Sequence, residues 1–224
     1  MNNPQNTFDS DGYVIVENLL SDLQVAELQS ELEALSIQSA GTRNILEMKW
    51  CQGIVDASVC HPEICDLLPQ DPVAIQCIYF EKSEPRNWLV PLHRDSMFPI
   101  DKKIDNQRWD SLSEKEGKQY GRPSNEILDK LVAVRIHLEA NDAENGPLQV
   151  VPGSHKTDQD DGERVTCFVP QGGALVLRPQ LLHASSKVRK GIRRVLHLVF
   201  GPAFLPDGDK WAYIRHPSNK VSIP

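Results

Sequence analysis

His93 and Asp95 stand two residues apart as an apolar run ends, in the stretch "NWLVPLHRDSMFPI" from Asn87 to Ile100. Residues two apart on an extended strand face the same side, so an imidazole and a carboxylate here could grip one ion. With a second histidine from elsewhere they would form the facial triad of non-haem Fe(II) oxygenases, which leaves open positions on the metal. Alone, an H-x-D pattern is a weak signal. The competing reading is a strand-end aspartate bonded to its own backbone beside a half-buried histidine.

A third ligand and an anion clamp are expected downstream, and "GGALVLRPQLLHASSKVRKGIRRVLHLVF" offers both. Gly172 and Gly173 turn into a strand, His183 lies near that strand's far end, and a returning strand carries Arg193 and Arg194. An arginine entering an apolar strand is costly unless it meets a carboxylate. A bound dicarboxylate such as 2-oxoglutarate would supply one, with its keto-acid end on iron and its distal carboxylate on the guanidinium. Periodicity does not choose between Arg193 and Arg194, because both faces of this strand are largely apolar. The other histidines are weaker ligand candidates. His155 sits in a turn, His61 and His216 lie beside prolines, and His137 and His197 occupy strands where core or pocket roles are commoner; His137 is the first of these to reconsider.

The elements that must position these groups are mostly strands. "GYVIVENLL" (Gly12 to Leu20) reads as a strand after an Asp-Gly turn. Ser21 and Gln24 then make a capping-box pattern, and Val25, Leu28, Leu32 and Leu35 recur at helical spacing. "ASVCHPEICDLLP" is a shorter helix candidate ended by Pro69. From Pro72 onward short β-branched runs alternate with Gly, Pro and Asn turns, which predicts a sandwich or jelly roll rather than alternating βα units. One segment breaks the rhythm. Asp101 to Lys130 is a long charged insertion directly after the H-x-D pair, and Trp109 and Tyr120 within it favour a lid over a solvated excursion.

With 224 residues and no break in composition, one domain spanning 1–224 with a lid at 101–130 is the expectation. A net charge of -7 argues against nucleic-acid binding and against an anionic membrane surface. The polar opening "MNNPQNTFDSDG" offers no early apolar segment of signal-peptide or spanning length. Five cysteines without a C-x-x-C pair disfavour a disulfide framework or structural zinc, so a reducing cytoplasm is expected. A small-molecule substrate is the expected partner, and oligomeric state is not legible.

Four stretches, in order, carry a resemblance: "FDSDGYVIVENLLSDLQVAELQSEL", "LHRD", "NGPLQVVPGSHK" and "LLHASSKVRKGIRR". Together they resemble the phytanoyl-CoA dioxygenase family of Fe(II)- and 2-oxoglutarate-dependent oxygenases, over nearly the whole chain. The resemblance implies a mainly β fold with flanking helices, the double-stranded β-helix or cupin-like jelly roll. It implies Fe(II), 2-oxoglutarate and O2 as cofactor and co-substrates, with His93, Asp95 and His183 on the metal. It places the co-substrate arginine eleven residues past the distal histidine, at Arg194, assisted by Ser185 and, in some relatives, by a glutamine corresponding to Gln76. Related halogenases replace the carboxylate ligand with a small residue, so Asp95 favours hydroxylation with release of succinate and CO2. Desaturation and ring chemistry use the same ligands.

The family does not identify a substrate. Arg135 could point into the barrel and bind a substrate carboxylate, or its head could reach solvent. Trp88, Trp109 and Arg43 are further pocket candidates. Two other readings stand beside the hydroxylase: a cupin-like metal oxygenase that dispenses with 2-oxoglutarate, and a catalytically silent jelly roll that binds a small ligand.

Overall fold

Alternation along the strands decides the architecture. The structure, a computed structural model, describes residues 4–35, 41–43, 45–101, 109–115, 117–157 and 162–218. Among these residues the strands form three antiparallel sheets. The largest runs β1 (Tyr13–Val16), β11 (Ala174–Leu177), β8 (Val132–His137), β13 (Ile192–Pro202), β3 (Pro72–Ser83) and β2 (Gly41–Thr42). Facing it are β10 (Val165–Cys167), β9 (Leu148–Val150), β12 (His183–Ser185) and β4 (Val90–His93). This is the jelly roll that the turn spacing predicted. A third sheet, β5 (Phe98–Ile100), β7 (Lys118–Pro123) and β6 (Trp109–Lys115), belongs largely to the charged insertion.

The outer face of the large sheet is apolar and carries the helices. Val132, Val134 and Ile136 of β8 and Leu196, Leu198 and Phe200 of β13 pack there. They meet Phe8 of α1 (Pro4–Asp11), Val25, Leu28 and Leu32 of α2 (Asp22–Ala34), Ile54 and Val55 of α3 (Cys51–Cys60) and Ile64 of α4 (Pro62–Cys65). Burying each large aliphatic side chain contributes about 1.5–3 kcal/mol. The capping box is formed: the Ser21 hydroxyl accepts from the Gln24 amide, and the Gln24 side-chain oxygen accepts from Ser21 N. α1 escaped the sequence reading because it buries Phe8 alone.

The inner face changes character along its length. Ala133 and Val199 pack with Leu148, Val150, Leu175 and Leu177 to fill one end of the barrel. Two residues further along the same strands, Arg135 and His197 line an open cavity. A β-bulge sets the same change on β3. Val199 pairs with Gln76 and Phe200 with Ala74, so Ile75 is the extra residue. Ile75 joins the filled end, while Gln76, Ile78, Phe80 and Lys82 face the cavity. A one-residue insertion of this kind re-aims every side chain beyond it.

The insertion packs as structure as well as reaching the cavity. Tyr120 of β7 and Lys115 of β6 line the cavity, and α5 (Asn125–Leu128) contributes Ile127 and Leu128 to the filled end. Trp109 does not line the cavity. It is buried edge-on against Trp211, with ring centroids 5.8 Å apart, and its indole N–H donates to Asp209 Oδ2 at 2.6 Å. An aromatic in a charged loop resembled a substrate contact, but the C-terminal segment supplies an apolar partner and an acceptor. Among the described residues no helix is long and apolar enough to cross a membrane.

Candidate active site

His93 and His183 are direct cross-strand partners on β4 and β12, with ring centroids 4.2 Å apart. Asp95 follows just beyond β4. Its carboxylate oxygens lie 3.7 Å from His93 Nε2 and 3.7 Å from His183 Nε2, and one donor atom from each of the three residues lies within 4.8 Å of the others. Each imidazole is oriented by its own backbone. Nδ1 of His93 donates to the Pro91 carbonyl and Nδ1 of His183 to the Leu181 carbonyl, both at 2.9 Å. A carbonyl only accepts, so these bonds place the proton on Nδ1 and leave Nε2 free to ligate.

The protonation states suit a metal. Burial pushes the His183 imidazole down to about 4, against the pull of Asp95, so it is neutral near pH 7. Burial opposes charge on Asp95, yet His183, His197 and His93 around it hold the carboxyl well below the usual carboxylate range. Two imidazoles and one carboxylate, converging from one side of a cavity, are the donor set of a 2-His-1-carboxylate Fe(II) site.

Backbone and side-chain bonds lock the triad from outside. Asp95 N donates to the Pro179 carbonyl, and Gln180 Nε2 donates to the Asp95 carbonyl, which ties the loop after β4 to the turn before β12. The Ser154 hydroxyl accepts from Leu182 N at 2.9 Å, next to His183. Arg94, between the two first ligands, donates to the Ser154 and Thr157 carbonyls. The "PGSH" turn is thus a brace shared by both ligand strands. Its Gly153 has φ of 75°, a left-handed conformation in which a side chain would be strained.

β13 carries the two consecutive arginines, and they part company. Arg194 faces outward. Its Nε donates to Glu139 Oε1 at 2.7 Å, its NH1 lies 3.2 Å from Glu33 Oε1, and it does not line the cavity. Arg193 faces inward, 2% exposed, and lines the cavity with an Nε that has no partner. The inward position expected for Arg194 therefore belongs to Arg193. The physical reason is strand parity: Arg193 shares the face of His197, while Arg194 shares that of Leu196 and Leu198, which pack under the helices. Arg193 is steadied by a bond from NH1 to the Gly146 carbonyl. Gly146 has φ of 69°, and a Cβ there would stand 2.7 Å from the Ser186 carbonyl oxygen, so the "NG" turn needs this glycine.

Lys82 is a further cation that sequence reading missed. It stands opposite Arg193 in register, is fully buried, and its ammonium donates to Ser185 Oγ at 2.8 Å and to the Ser186 carbonyl at 2.9 Å. It also lies 4.9 Å above the Trp88 ring. Burial, with Arg193 and Arg135 nearby, pushes its ammonium down to about 7. The signal was available: six residues after Gln76 on one strand, Lys82 must share its face.

Of the remaining candidates, Gln76, Trp88, Arg43, Arg135 and Ser185 all line the cavity, which measures about 400 Å³. The Gln76 amide oxygen is buried without a partner. Of the two strand histidines, His197 and not His137 reaches the triad, with Nε2 3.4 Å from Asp95 Oδ2. His137 is buried, does not line the cavity, and has both ring nitrogens unpartnered.

Comparison with known proteins adds sequence likeness to this geometry. A curated relative, an ectoine dioxygenase from Nocardia farcinica (strain IFM 10152), is 29% identical over 182 residues, covering 75% of this chain and 52% of the relative. The chain thus spans about half the length of that relative. Among solved structures, HygX from Streptomyces hygroscopicus with nickel and 2-oxoglutarate bound superposes with a TM-score of 0.65 at 18% identity, covering 96% of each chain. The non-heme α-ketoglutarate-dependent epimerase SnoN from nogalamycin biosynthesis superposes with a TM-score of 0.63 at 17% identity, covering 88% of this chain and 81% of its own. These likenesses show the shared fold. The profile of phytanoyl-CoA dioxygenase (PhyH) matches residues 8–195, which takes in the triad, Ser185 and the inward arginine, and on that match the chain belongs to the phytanoyl-CoA dioxygenase family.

Proposed function

We propose that this protein is an Fe(II)- and 2-oxoglutarate-dependent dioxygenase that hydroxylates a small molecule. The observation that carries this reading is one cavity with two chemically distinct ends: His93, Asp95 and His183 at one, and Arg193, Lys82 and Ser185 at the other. Iron would be held by Nε2 of both histidines and by the Asp95 carboxylate. When bound, it supplies with O2 the oxidative decarboxylation of 2-oxoglutarate to succinate and CO2 and the coupled oxidation of substrate.

The chain's own residues do the rest. Arg193 has donors to spare and meets the distal carboxylate as a fork. The Ser185 hydroxyl accepts from Lys82, which leaves its own proton to donate to the same carboxylate. Gln76 offers a further polar contact at the cavity wall. His197 holds Asp95 in place, and the buried walls keep water from the reacting centre. The described part of the 101–130 insertion acts as a lid, through Tyr120 and Lys115 at the cavity, residues 102–108 and 116 lying outside the described residues. Asp95 fills the carboxylate position, which favours hydroxylation. Five free thiols fit a reducing cytoplasm. A metal oxygenase without a co-substrate has no use for a buried Arg193 with an idle Nε, and a silent binding protein has none for the full triad.

Anaerobic titration of the Fe(II) protein with 2-oxoglutarate tests the reading. The visible charge-transfer absorption of the chelate should develop to one equivalent. Absence of the band, together with no succinate release in air, would defeat it.

A further inference from the structure

The cavity carries a charge opposite to that of the whole molecule. Six cationic side chains line it, Arg43, Lys82, Arg94, Lys115, Arg135 and Arg193, against Asp95 as the one carboxylate among the described residues. The chain as a whole carries -7. Iron and its co-substrate leave this excess unchanged, since Fe(II) adds two positive charges and 2-oxoglutarate brings two negative ones.

Arg135 is a buried cation that nothing so far employs. It is 8% exposed, its Nε has no partner, and among the described residues its side chain makes no hydrogen bond or ion pair, with the Asp95 carboxylate acting on it only through space. Its guanidinium lies 5.6 Å from the Phe80 ring centroid. Buried charges are ordinarily paired, because isolation from water is costly. Arg194 on the outer face shows this chain pairing such a group when it is structural.

Arg135 is anchored on the backbone nearer the metal than the co-substrate clamp is. β8 pairs with β13 so that Arg135 stands directly opposite His197, the residue that touches Asp95. Arg193 lies four residues earlier on β13, roughly 13 Å along the strand at about 3.3 Å per residue. The guanidinium reaches from that level over Phe80, within electrostatic reach of both Asp95 and Arg193, so it stands between the metal and the distal-carboxylate end. Ile78, Phe80 and Trp88 supply apolar wall beside it. The cavity of about 400 Å³ lies near the lower end of the range for ligand sites, roughly 300–1,000 Å³, and must also hold 2-oxoglutarate.

Resting on the co-substrate reading above, we propose that Arg135 binds and orients the substrate, and that the substrate is a compact small molecule carrying a carboxylate. Its anionic group docks on the guanidinium, and its apolar body lies along Phe80 towards the metal end.

Paired probes test this. Benzoate, cyclohexanecarboxylate, L-proline and L-leucine, each against its primary amide, are titrated into Ni(II)-loaded protein with and without 2-oxoglutarate, followed by thermal shift and tryptophan fluorescence. At least one acid should bind tenfold or more tightly than its amide. Arg135→Met should erase that preference, leave 2-oxoglutarate affinity within threefold, and melt no lower than wild type when no acid is present, because an unpartnered cation gives way to an apolar stem. Arg135→Lys, which keeps the charge without the fork, should retain part of the preference. The proposal is overturned if no acid outbinds its amide tenfold. It is equally overturned if Arg135→Met weakens 2-oxoglutarate tenfold, which assigns Arg135 to the co-substrate, or melts several degrees lower, which makes it structural. A wild type that ignores 2-oxoglutarate yet prefers acids through Arg135 would sink the co-substrate reading and leave the anion site standing.

Discussion

Arg193 and Arg194 are neighbours in sequence and opposites in circumstance. On the outer face of β13, Arg194 has two carboxylates, and Glu139 also accepts from its backbone N–H at 2.7 Å. Burial opposes its charge, but the Glu139 bond outweighs that and raises its pKa. On the inner face, Arg193 has one carbonyl, an idle Nε and other cations nearby, and burial with Arg135 beside it pushes it down to about 9. The outer arginine is complete as folded. The inner one is complete only when something anionic arrives. An unsatisfied buried charge of this kind marks a place kept for a ligand, at some expense in stability.

The contrast predicts that inner-face changes damage binding while outer-face changes damage folding. The largest effect is expected at the triad. Asp95→Ala or His183→Ala should abolish stoichiometric Fe(II) binding and reduce succinate release to background, with melting temperature nearly unchanged in the metal-free protein. Metal titration with thermal melts checks both halves; a variant that keeps its metal would break the assignment.

Next come the two arginines themselves. Arg193→Ala should weaken 2-oxoglutarate binding by about 2–5 kcal/mol, the usual consequence of removing one partner of a buried charge pair. Arg194→Ala should leave co-substrate binding alone and lower stability by about 1–3 kcal/mol, since it removes the cationic partner of the half-buried Glu139. The 2-oxoglutarate Michaelis constant and denaturant midpoints of both variants decide the matter. An exchange of these outcomes would return the co-substrate role to Arg194.

A smaller effect is expected at His197, which touches Asp95 without belonging to the triad. His197→Gln should lower Fe(II) affinity about 10–100-fold, as loss of outer-shell support commonly does. Unchanged affinity would reduce His197 to a wall residue.

The smallest effect concerns His137, which the fold holds neutral. Its pKa is depressed by burial, then by Arg135 and Arg193. The unfolded chain takes up this proton below about 6.5 and the folded chain does not, so stability is present above that pH and declines as pH falls below it. One such group contributes a slope of about 1.4 kcal/mol per pH unit. His137→Leu should flatten the acid side of the stability curve by that amount, measured by urea melts between pH 5 and 7.

The same contrast explains what the sequence could reveal. His93, Asp95 and His183 were legible because few residue types ligate metals and strand spacing puts the first two together. The jelly roll was legible from turn spacing and β-branched runs. Arg193 was not separable from Arg194, because β13 is buried on both faces and supplies no polar side to fix parity. Lys82 and the cavity-facing half of β3 depend on a bulge at Ile75, which no residue type announces. Trp109 misled because its acceptor, Asp209, and its ring partner, Trp211, come from a distant part of the chain.

The brace formed by the "PGSH" turn has a consequence for how the protein is made. Ser154 fastens the segment before His183, and Arg94, between His93 and Asp95, fastens to Ser154 and Thr157. The ligands therefore converge only when segments far apart in sequence have paired, and contacts of that kind form slowly. During synthesis an emerging chain that has β4 but not yet β12 has no iron site. Iron loading is then a late event in biogenesis, and acquisition of the metal reports that the barrel has closed.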